Sequence, residues 1–356
     1  MIVVHLGEYV SGGVATYLRT LITEQIADPK IDKIYILMSG YKSQKLTFDS
    51  PKVKVVLYDY RRTPFGIVKM LTLWHQIVAW HADVVHLHST FAGLMRVRYL
   101  FARPSRSRHI KLIYCAHGWS FERTVSDWKR RCYALIERLL AFKSVRIINI
   151  SQSEQNVAIE YGLDPRQMTM IDNAISYEPG PVTKTPHAGK NFLFVGRFDR
   201  PKGLDVLLEA AAIVGPEIHF KIVGAPVLDD QPQTNRYPAN VKAYGWLDAD
   251  EINELYHDVD GLVVPSRWEG FGLVALEAMA QHTAVIASRV GGLRDIVIDN
   301  QTGLFFASED AAGLASLLET TPKATLEEMG KRGYDRLVAH YDPKEMERRV
   351  YALYAE

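Results

Sequence analysis

Short runs of β-branched and aliphatic residues alternate with stretches of helical periodicity along the whole chain, and the alternation restarts about half-way. The pattern is typical of parallel sheets covered by helices on both faces. A sheet of this kind gathers its ligands at the carboxyl ends of its strands. Strands are predicted in the first half at 2–6, 34–38, 53–57, 84–87, 111–115, 146–150 and 168–171, and in the second half at 192–195, 219–223, 241–244, 261–264 and 284–287.

The chain length and one proline-rich segment divide this alternation into two domains. A length of 356 residues exceeds one average domain and suits two. Three prolines and two glycines, with few large apolar residues, indicate an interdomain linker at 177–190. We therefore expect one domain at 1–176 and another at 191–340, with closing helices at 331–341 and 343–354.

The composition is that of an ordinary globular enzyme, with 47% hydrophobic and 23% charged residues. Cys115 and Cys132 provide neither a disulfide framework nor the spacing of metal ligands, which favours a reducing compartment. The chain starts directly with a strand-like run and shows no secretory signal, so we expect a cytoplasmic protein. Its most apolar long segment, 65–80, is interrupted by polar residues and does not suit a membrane span.

Positive charge is concentrated in the first half of the chain. Residues 1–180 contain 24 Lys and Arg against 15 Asp and Glu, whereas residues 181–356 contain 18 against 26. A cationic run beside apolar and aromatic residues occupies an interval without acidic residues, between Asp83 and Glu122. The run comprises Arg96, Arg98, Arg103, Arg106, Arg108 and Lys111.

Three interpretations of this cationic run differ in what it would contact. A solvated helix and loop is the simplest. Nucleic acid is disfavoured because no recognition module accompanies the charge. An anionic membrane surface attracts such a run by about 1 kcal/mol for each basic residue near it. On the last interpretation the run forms a membrane or acceptor patch.

Two turns in the first half lie at predicted strand ends. Gly12 and Gly13 follow the first strand and open a predicted helix at 13–27, so a phosphate could approach the backbone closely. The turn lacks the Gly-x-Gly-x-x-Gly fingerprint of dinucleotide-binding folds. His117 follows a buried strand and should present its imidazole at the sheet edge. His86-Leu-His88 lies at the carboxyl end of another predicted strand, and His86 is more simply a structural residue.

Two loops in the second half carry charge at strand-to-helix junctions. Gly196-Arg197-Phe-Asp-Arg-Pro-Lys202-Gly203 provides a planar guanidinium and an ammonium, which suit a diphosphate without a metal. The second loop, Glu269-Gly-Phe-Gly, precedes a helix that contains Glu277. Its amides and the helix dipole favour an anion, and Glu277 could accept hydrogen bonds from two sugar hydroxyls, such as those of a ribose.

The combination of Gly-Arg-x4-Lys-Gly with Glu-x7-Glu resembles the retaining nucleotide-sugar glycosyltransferases of family 4. The resemblance implies a GT-B fold of the α/β class, with two Rossmann-like doubly wound domains facing each other across a deep cleft. The last helix, at 341–356, would cross back to the first domain.

The same resemblance implies roles for individual residues. His117, Arg197, Lys202 and Glu269 match the catalytic region, where His117 and Glu269 approach the donor sugar. Glu277 matches the residue that binds the nucleotide ribose. The other donor-binding positions are Gly12, Gly13, Asn173, Gly196, Gly224, Gly245, Trp246, Gly270, Phe271, Gly272 and Leu273.

The activity implied is transfer of a hexose from GDP-mannose or a UDP-hexose to a glycan or lipid-linked acceptor, with retention of configuration and no metal or other cofactor. The enzyme would act in bacterial surface-polysaccharide or glycolipid synthesis, peripherally at the inner face of the plasma membrane. A GT-B epimerase or phosphorylase and a non-catalytic nucleotide-sugar-binding protein are the alternatives. Product formation from a labelled donor separates transfer from binding.

Overall fold

The computed structural model describes residues 1–101, 109–122, 125–142, 145–178, 180, 182–226 and 237–356. They form two compact units, one of Met1–Ile175 with Pro343–Glu356 and the other of Ser176–Asp342. Each unit contains a parallel sheet accompanied by helices, so the predicted α/β class is confirmed. The segment 177–190 belongs to the second unit.

The first unit contains a seven-stranded sheet in the order β3-β2-β1-β4-β5-β6-β7. Every strand pair in it is parallel. The central strands are buried along nearly their whole length, as expected for a sheet covered on both faces. The strands are β1 (Ile2–Gly7), β2 (Lys33–Ser39), β3 (Val53–Tyr58), β4 (Val84–His88), β5 (Lys111–Cys115), β6 (Val145–Asn149) and β7 (Met168–Met170).

Among the residues that the structure describes, six α-helices lie between these strands. They are α1 (Gly13–Ala27), α2 (Pro64–Thr72), α3 (Trp74–Ala79), α4 (Met95–Leu100), α5 (Asp127–Leu140) and α6 (Gln152–Glu160). The apolar segment that we considered only as a membrane span forms α2 and α3. Thr63 caps α2 by accepting a hydrogen bond from the Gly66 amide at 3.1 Å, and a proline follows at the first helical position.

The second unit contains a six-stranded parallel sheet in the order β10-β9-β8-β11-β12-β13. Its strands are β8 (Lys190–Val195), β9 (Ile218–Val223), β10 (Val241–Gly245), β11 (Gly261–Val264), β12 (Ala284–Ser288) and β13 (Gly303–Phe306). The last of these has no counterpart among the predicted strands. A cluster of buried Phe, Leu and Ile side chains packs this sheet against its helices.

The helices of the second unit are α7 (Leu204–Ile213), α8 (Ala249–Tyr256), α9 (Leu273–Ala280), α10 (Leu293–Ile296), α11 (Ala311–Thr320) and α12 (Lys323–His340). Asp248 and Glu251 form a reciprocal capping box at the start of α8, where the sequence shows an acidic helix start. The helix predicted at 331–341 begins earlier, since it is the second half of α12.

The closing helix α13 (Pro343–Ala355) belongs to the first unit. It packs against α1 and β5, and it buries Val350 and Tyr354 completely. The Lys111 ammonium donates a hydrogen bond to the Tyr354 carbonyl at 2.9 Å. None of the helices in the described part of the chain is both long enough and apolar enough to cross a membrane.

Candidate functional site

The carboxyl edge of the second sheet brings the two charged loops together. The loop after β8 contains Lys202, and the loop after β11 contains Glu269. The Lys202 ammonium lies 2.6 Å from a Glu269 carboxylate oxygen, and both side chains are mostly buried. The Ser266 hydroxyl donates to the same oxygen at 3.2 Å. Residues that are 67 positions apart therefore form one ion pair at this edge.

Arg267 braces the loop that carries Lys202. Its guanidinium pairs with Asp205 at 2.7 Å and with Glu309 at 2.6 Å, and it also donates to the Arg200 carbonyl at 3.0 Å. The Arg267 amide donates to the Pro201 carbonyl at 2.8 Å. These contacts fix the turn at Arg200–Lys202 against the loop after β11, and the sequence reasoning missed this role of Arg267.

Two glycines allow the loops at this edge to approach each other. Gly203 has a φ of +67°, and a Cβ there would lie 2.0 Å from the Pro265 carbonyl oxygen. Gly291 has a φ of +47°, and a Cβ there would lie 1.8 Å from the Glu269 carbonyl oxygen. A side chain at either position would move the loop that carries Lys202 or the loop that carries Glu269.

Glu277 lies in α9, about one turn after Glu269's loop ends. Burial raises the pKa of its carboxyl group, and the nearby Lys202 ammonium acts in the opposite direction. The charge of Glu277 also raises the pKa of the buried Tyr256, after the larger effect of that residue's own burial. Lys202 therefore influences both carboxylates of the Glu-x7-Glu motif.

The other predicted donor-binding positions of the second unit differ in what they can offer a ligand. Arg197 is 51% exposed and pairs with Asp199 at 2.9 Å, so its guanidinium already has one carboxylate partner. Trp246, which follows β10, is 59% exposed. Phe271 and Leu273 are buried, which leaves their main-chain groups for any ligand contact.

The remaining predicted glycines of the second unit lie at strand ends or in the loop before α9. Gly245 ends β10 with a φ of +75°, and Gly224 follows β9. The amide of Gly224 donates to the Gly245 carbonyl at 2.8 Å, and the amide of Gly196 donates to the Val223 carbonyl at 3.0 Å. Gly270 and Gly272 flank Phe271, and Gly272 immediately precedes α9.

The carboxyl edge of the first sheet carries His117 in a constrained turn. His117 has a φ of +54°, which few non-glycine residues adopt and which often marks a functional position. The amide of the next residue, Gly118, donates to the buried carboxyl group of Glu154 at 2.7 Å. Glu154 therefore anchors this turn. Burial raises its pKa to about 8.

The His117 imidazole is joined to buried histidines. Its Nε2 lies 3.0 Å from Nδ1 of His88, at the end of β4. Burial lowers the pKa of His117 to about 3 and holds the ring neutral at physiological pH. His86, which we interpreted as structural, is completely buried. The imidazole at the edge is therefore an uncharged hydrogen-bonding group.

Gly12, Gly13 and Asn173 also lie at strand ends of the first unit. Gly12 is the exposed N-cap of α1, with a φ of +55° and open space around it, so the first turn of the helix is accessible to a ligand. Asn173 is buried, and its side-chain oxygen has no hydrogen-bond partner among the described residues.

Comparison with known proteins decides the family. Residues 11–178 match the model described as Glycosyltransferase Family 4, and residues 181–336 match the model described as Glycosyl transferases group 1. An uncharacterized 41.2 kDa protein in the cps region of Klebsiella pneumoniae is 33% identical over 90% of both chains. The chain belongs to the group 1 glycosyltransferases.

Solved structures show the same fold for this glycosyltransferase. Sucrose-phosphate synthase from Thermosynechococcus elongatus has a TM-score of 0.83 and 21% identity, covering 99% of this chain and 98% of that one. HepE of Anabaena in complex with UDP-glucose has a TM-score of 0.76 and 17% identity, with coverages of 99% and 98%. The GT-B architecture expected from the motifs is therefore confirmed.

The cationic run is not the uniform surface patch that the sequence suggested. Arg96 is 0% exposed and lies 2.6 Å from the buried Glu137, with its guanidinium 3.8 Å above the Tyr114 ring. Lys111 is half-buried, and its ammonium is bonded to the end of α13. Arg98 is half-buried. The remaining members, Arg103, Arg106 and Arg108, lie outside the described residues.

Two features of the glycosyltransferase could be mistaken for a metal site. The stretches Asp248-Ala-Asp250 and Asp258-Val-Asp260 have the Asp-x-Asp spacing, but Asp248 caps α8, Asp258 pairs with Lys221 and Asp260 accepts from the Asn191 amide. The nitrogens of His5, His86 and His88 lie within 4.8 Å of one another, a separation compatible with metal binding.

Proposed function

We propose that this glycosyltransferase moves a hexose from a nucleoside-diphosphate sugar to a glycan or lipid-linked acceptor, with retention of configuration and without a metal. The observation that carries the proposal is the Lys202–Glu269 ion pair at 2.6 Å. An ammonium held in a fixed position can stabilise the charge that grows on a departing diphosphate. The neighbouring carboxylates supply acceptors for sugar hydroxyls.

The roles that we propose follow the charge of each group. Lys202 and Arg197 hold the diphosphate and stabilise it as a leaving group, Glu269 orients the transferred sugar, and Glu277 accepts hydrogen bonds from the ribose hydroxyls. His117 contacts the sugar as a neutral imidazole. A front-face attack, in which a departing phosphate oxygen takes the proton of the acceptor hydroxyl, would give retention without a protein nucleophile.

A UDP-hexose is the donor that we favour over GDP-mannose. The support is the binding of UDP-glucose by the structurally similar HepE. Thermal denaturation with UDP, GDP and ADP tests the nucleotide, since a ligand that binds only the folded state raises the melting temperature by mass action. We expect the largest shift with UDP. No shift with any of the three would contradict the donor class itself.

Transfer and stereochemistry need a separate assay. A labelled sugar nucleotide should give a product whose anomeric configuration, read by NMR, matches that of the donor. The rate of transfer should be unchanged after exhaustive chelation of metal ions. An inverted product or a rate lost with chelation would overturn the corresponding part of the proposal. Nucleotide binding without any transfer would favour a non-catalytic binding protein.

The acceptor that we propose is a lipid-linked or glycan chain of bacterial surface-polysaccharide synthesis. The support is the Klebsiella relative, which is described as a protein in the cps region. A lipid-linked acceptor would require a membrane contact, for which Arg103, Arg106 and Arg108 are the candidates left by the burial of Arg96.

Liposome sedimentation tests the membrane contact. We expect binding that requires anionic lipid, weakens as salt rises, and is reduced when Arg103, Arg106 and Arg108 are replaced by Gln. Replacement of three exposed basic residues outside the run, Arg19, Lys129 and Arg131, by Gln is the control for an equal loss of positive charge elsewhere on the same unit. If the wild type does not bind anionic vesicles, or if binding is unchanged when Arg103, Arg106 and Arg108 are replaced, these residues are not the membrane contact and a soluble acceptor is favoured.

A further inference from the structure

A continuous chain of hydrogen bonds runs from His117 into the core of the first unit. His117 Nε2 lies 3.0 Å from His88 Nδ1, and His88 Nε2 lies 3.0 Å from His5 Nδ1. His5 Nε2 lies 2.9 Å from the side-chain oxygen of Gln25. His5, His88 and Gln25 are completely buried. One side chain at the sheet edge is thus connected to an amide in α1 through two imidazoles.

The sheet itself sets this alignment. His5 lies in β1, His88 ends the adjacent β4, and His117 follows the next strand, β5. The His5 and His88 rings are 5.2 Å apart, the His88 and His117 rings are 5.3 Å apart, and both pairs have an interplanar angle of 27°. Neighbouring parallel strands fix these positions. The series of hydrogen bonds is therefore part of the folded framework rather than a surface arrangement.

The direction of the hydrogen bonds follows from Gln25. An amide oxygen only accepts, so His5 must donate from Nε2. A neutral imidazole carries one N–H, and therefore His5 Nδ1 accepts from His88 Nε2 and His88 Nδ1 accepts from His117 Nε2. Burial lowers the pKa of His5 to about 4 and that of His88 well below its usual value, so both rings are neutral.

The other end of the Gln25 amide faces α13. The Gln25 nitrogen donates to the Tyr354 hydroxyl at 3.4 Å, and that hydroxyl lies 2.7 Å from His86 Nδ1. If the amide were reversed, every donor and acceptor in the series of hydrogen bonds from Gln25 to His117 would exchange roles. Gln25 therefore determines which nitrogen of His117 carries the proton.

We propose that Gln25, His5 and His88 are positioning residues that hold His117 as the neutral Nε2–H tautomer, so that its Nδ1 lone pair accepts a hydrogen bond from a sugar hydroxyl of the donor. No described residue forms a hydrogen bond with His117 Nδ1. The assignment of the sugar as its partner rests on the proposed function. The tautomer does not, because it follows from contacts within the first unit.

A metal ion held by His5, His86 and His88 is the competing interpretation of the same side chains. Both nitrogens of His5 and both nitrogens of His88 already take part in the chain. Only His86 Nε2 is left without a partner among the residues that the structure describes. A metal bound to all three rings would break the chain, so the two interpretations exclude each other.

Imidazole nitrogen NMR of the histidine-labelled full-length protein tests the tautomer. We expect His117 in the Nε2–H form in the wild type, and a mixture of both tautomers in Gln25→Leu and in His88→Leu. His88→Asn should restore the wild-type form, because its side-chain oxygen can take the place of Nδ1. Tyr17→Phe is the matched control, since its ring lies 4.7 Å from that of His117 and its hydroxyl has no partner in the described chain.

Kinetics then connect the tautomer to transfer. His88→Leu should lower kcat about tenfold, the effect of one hydrogen bond on a barrier. Its affinity for free nucleoside diphosphate should not change, and His88→Asn should recover most of the rate. A wild-type Nδ1–H tautomer, an unchanged tautomer in both Gln25→Leu and His88→Leu, or one equivalent of metal in the purified protein by elemental analysis would overturn the proposal. The predicted tautomers in a protein that transfers no sugar would instead contradict only the proposed function.

Discussion

The carboxyl edges of the two sheets differ in electrostatic character, since one carries neutral side chains and the other carries charged ones. At the edge of the first sheet, His117 and His88 are imidazoles that burial holds neutral, and hydrogen bonds fix their orientation. At the edge of the second sheet, Lys202 and Glu269 form an ion pair, with Glu277 close enough to be influenced by Lys202. Both units use parallel strands and glycine-containing turns, so the difference lies in the side chains at the strand ends.

In the proposed function, this difference separates two tasks. A leaving diphosphate gains negative charge during transfer, and a fixed cation stabilises that change directly. A sugar hydroxyl remains neutral and needs a hydrogen-bond partner in a defined protonation state. An unpaired charge would be costly in the buried interior of the first unit, whereas neutral imidazoles can be buried if their nitrogens are hydrogen-bonded.

The largest expected effect comes from removing the cation of the second edge. Lys202→Met should lower turnover by about a hundredfold, the scale for one preorganised electrostatic group. It also leaves Glu269 without its ion-pair partner. Labelled-donor transfer by the purified variant measures the loss, and circular dichroism checks that the variant is folded.

Lys221→Met is the matched control. Lys221 is also mostly buried and pairs with a single carboxylate, that of Asp258, at 3.0 Å, but it lies within β9 rather than at the strand ends. Its replacement should leave turnover near the wild-type value. Equal losses in the two variants would mean that ion pairs support the second unit generally, and that Lys202 has no special place in transfer.

A second prediction separates the two carboxylates of the charged edge. Glu277→Gln should weaken binding of free nucleoside diphosphate about tenfold, as expected for loss of a charged hydrogen-bond acceptor. Glu269→Gln should mainly lower turnover, because the proposed partner of Glu269 is the transferred sugar, which free nucleoside diphosphate lacks. Isothermal titration and transfer assays on both variants give the comparison. If nucleotide binding weakens equally, their roles have been divided wrongly.

The parts of the molecule that the sequence predicted well are those governed by local pattern. Twelve strands were predicted to within two residues because continuous apolar runs are what buried parallel strands require. The loops containing Lys202 and Glu269 were recognised because glycines and charged residues occur there at short, fixed spacing. The strand that was missed is β13, Gly303–Phe306.

The missed contacts join residues far apart in the chain, where sheet topology rather than local pattern decides which side chains meet. Arg267 pairs with Asp205, 62 residues away, and Glu154 accepts from Gly118, 36 residues away. Arg96 was placed on the surface because it belongs to a basic run, yet Glu137, 41 residues later, pairs with it in the interior. Periodicity contains no information on such pairs.

A third prediction concerns the effect of acid on the neutral edge of the first sheet. Burial lowers the pKa of His5 to about 4 and that of His117 to about 3, and it places the pKa values of His86 and His88 well below 6.5. As the pH falls below 6.5, the unfolded chain binds protons that the folded chain does not. The free energy of unfolding should therefore decrease with falling pH, by about 1.4 kcal/mol per pH unit for each fully neutral imidazole.

Two buried carboxyl groups of the same unit act in the opposite sense. Burial raises the pKa of Glu154 to about 8 and that of Glu347 to about 7, so the folded state keeps their protons where the unfolded state has released them. Their contribution to stability is complete below their unfolded pKa of about 4.5 and is lost as the pH rises through 7 to 8. As the pH falls from 6.5 towards 4, the four imidazoles lower the free energy of unfolding and the two carboxyl groups raise it. Because the imidazoles are more numerous, the net change is a loss of stability.

Hydrogen exchange during denaturant titration, followed separately for peptides of the two units, measures this pH dependence. We expect the first unit to lose stability faster than the second between pH 6.5 and pH 4.5. His86→Phe should reduce the slope because it removes one buried imidazole that must stay neutral, whereas replacing the exposed His75 by Gln should leave it unchanged. If the two units respond equally and His86→Phe behaves like the control, the first edge is not held neutral by burial, and the electrostatic contrast between the two sheets fails.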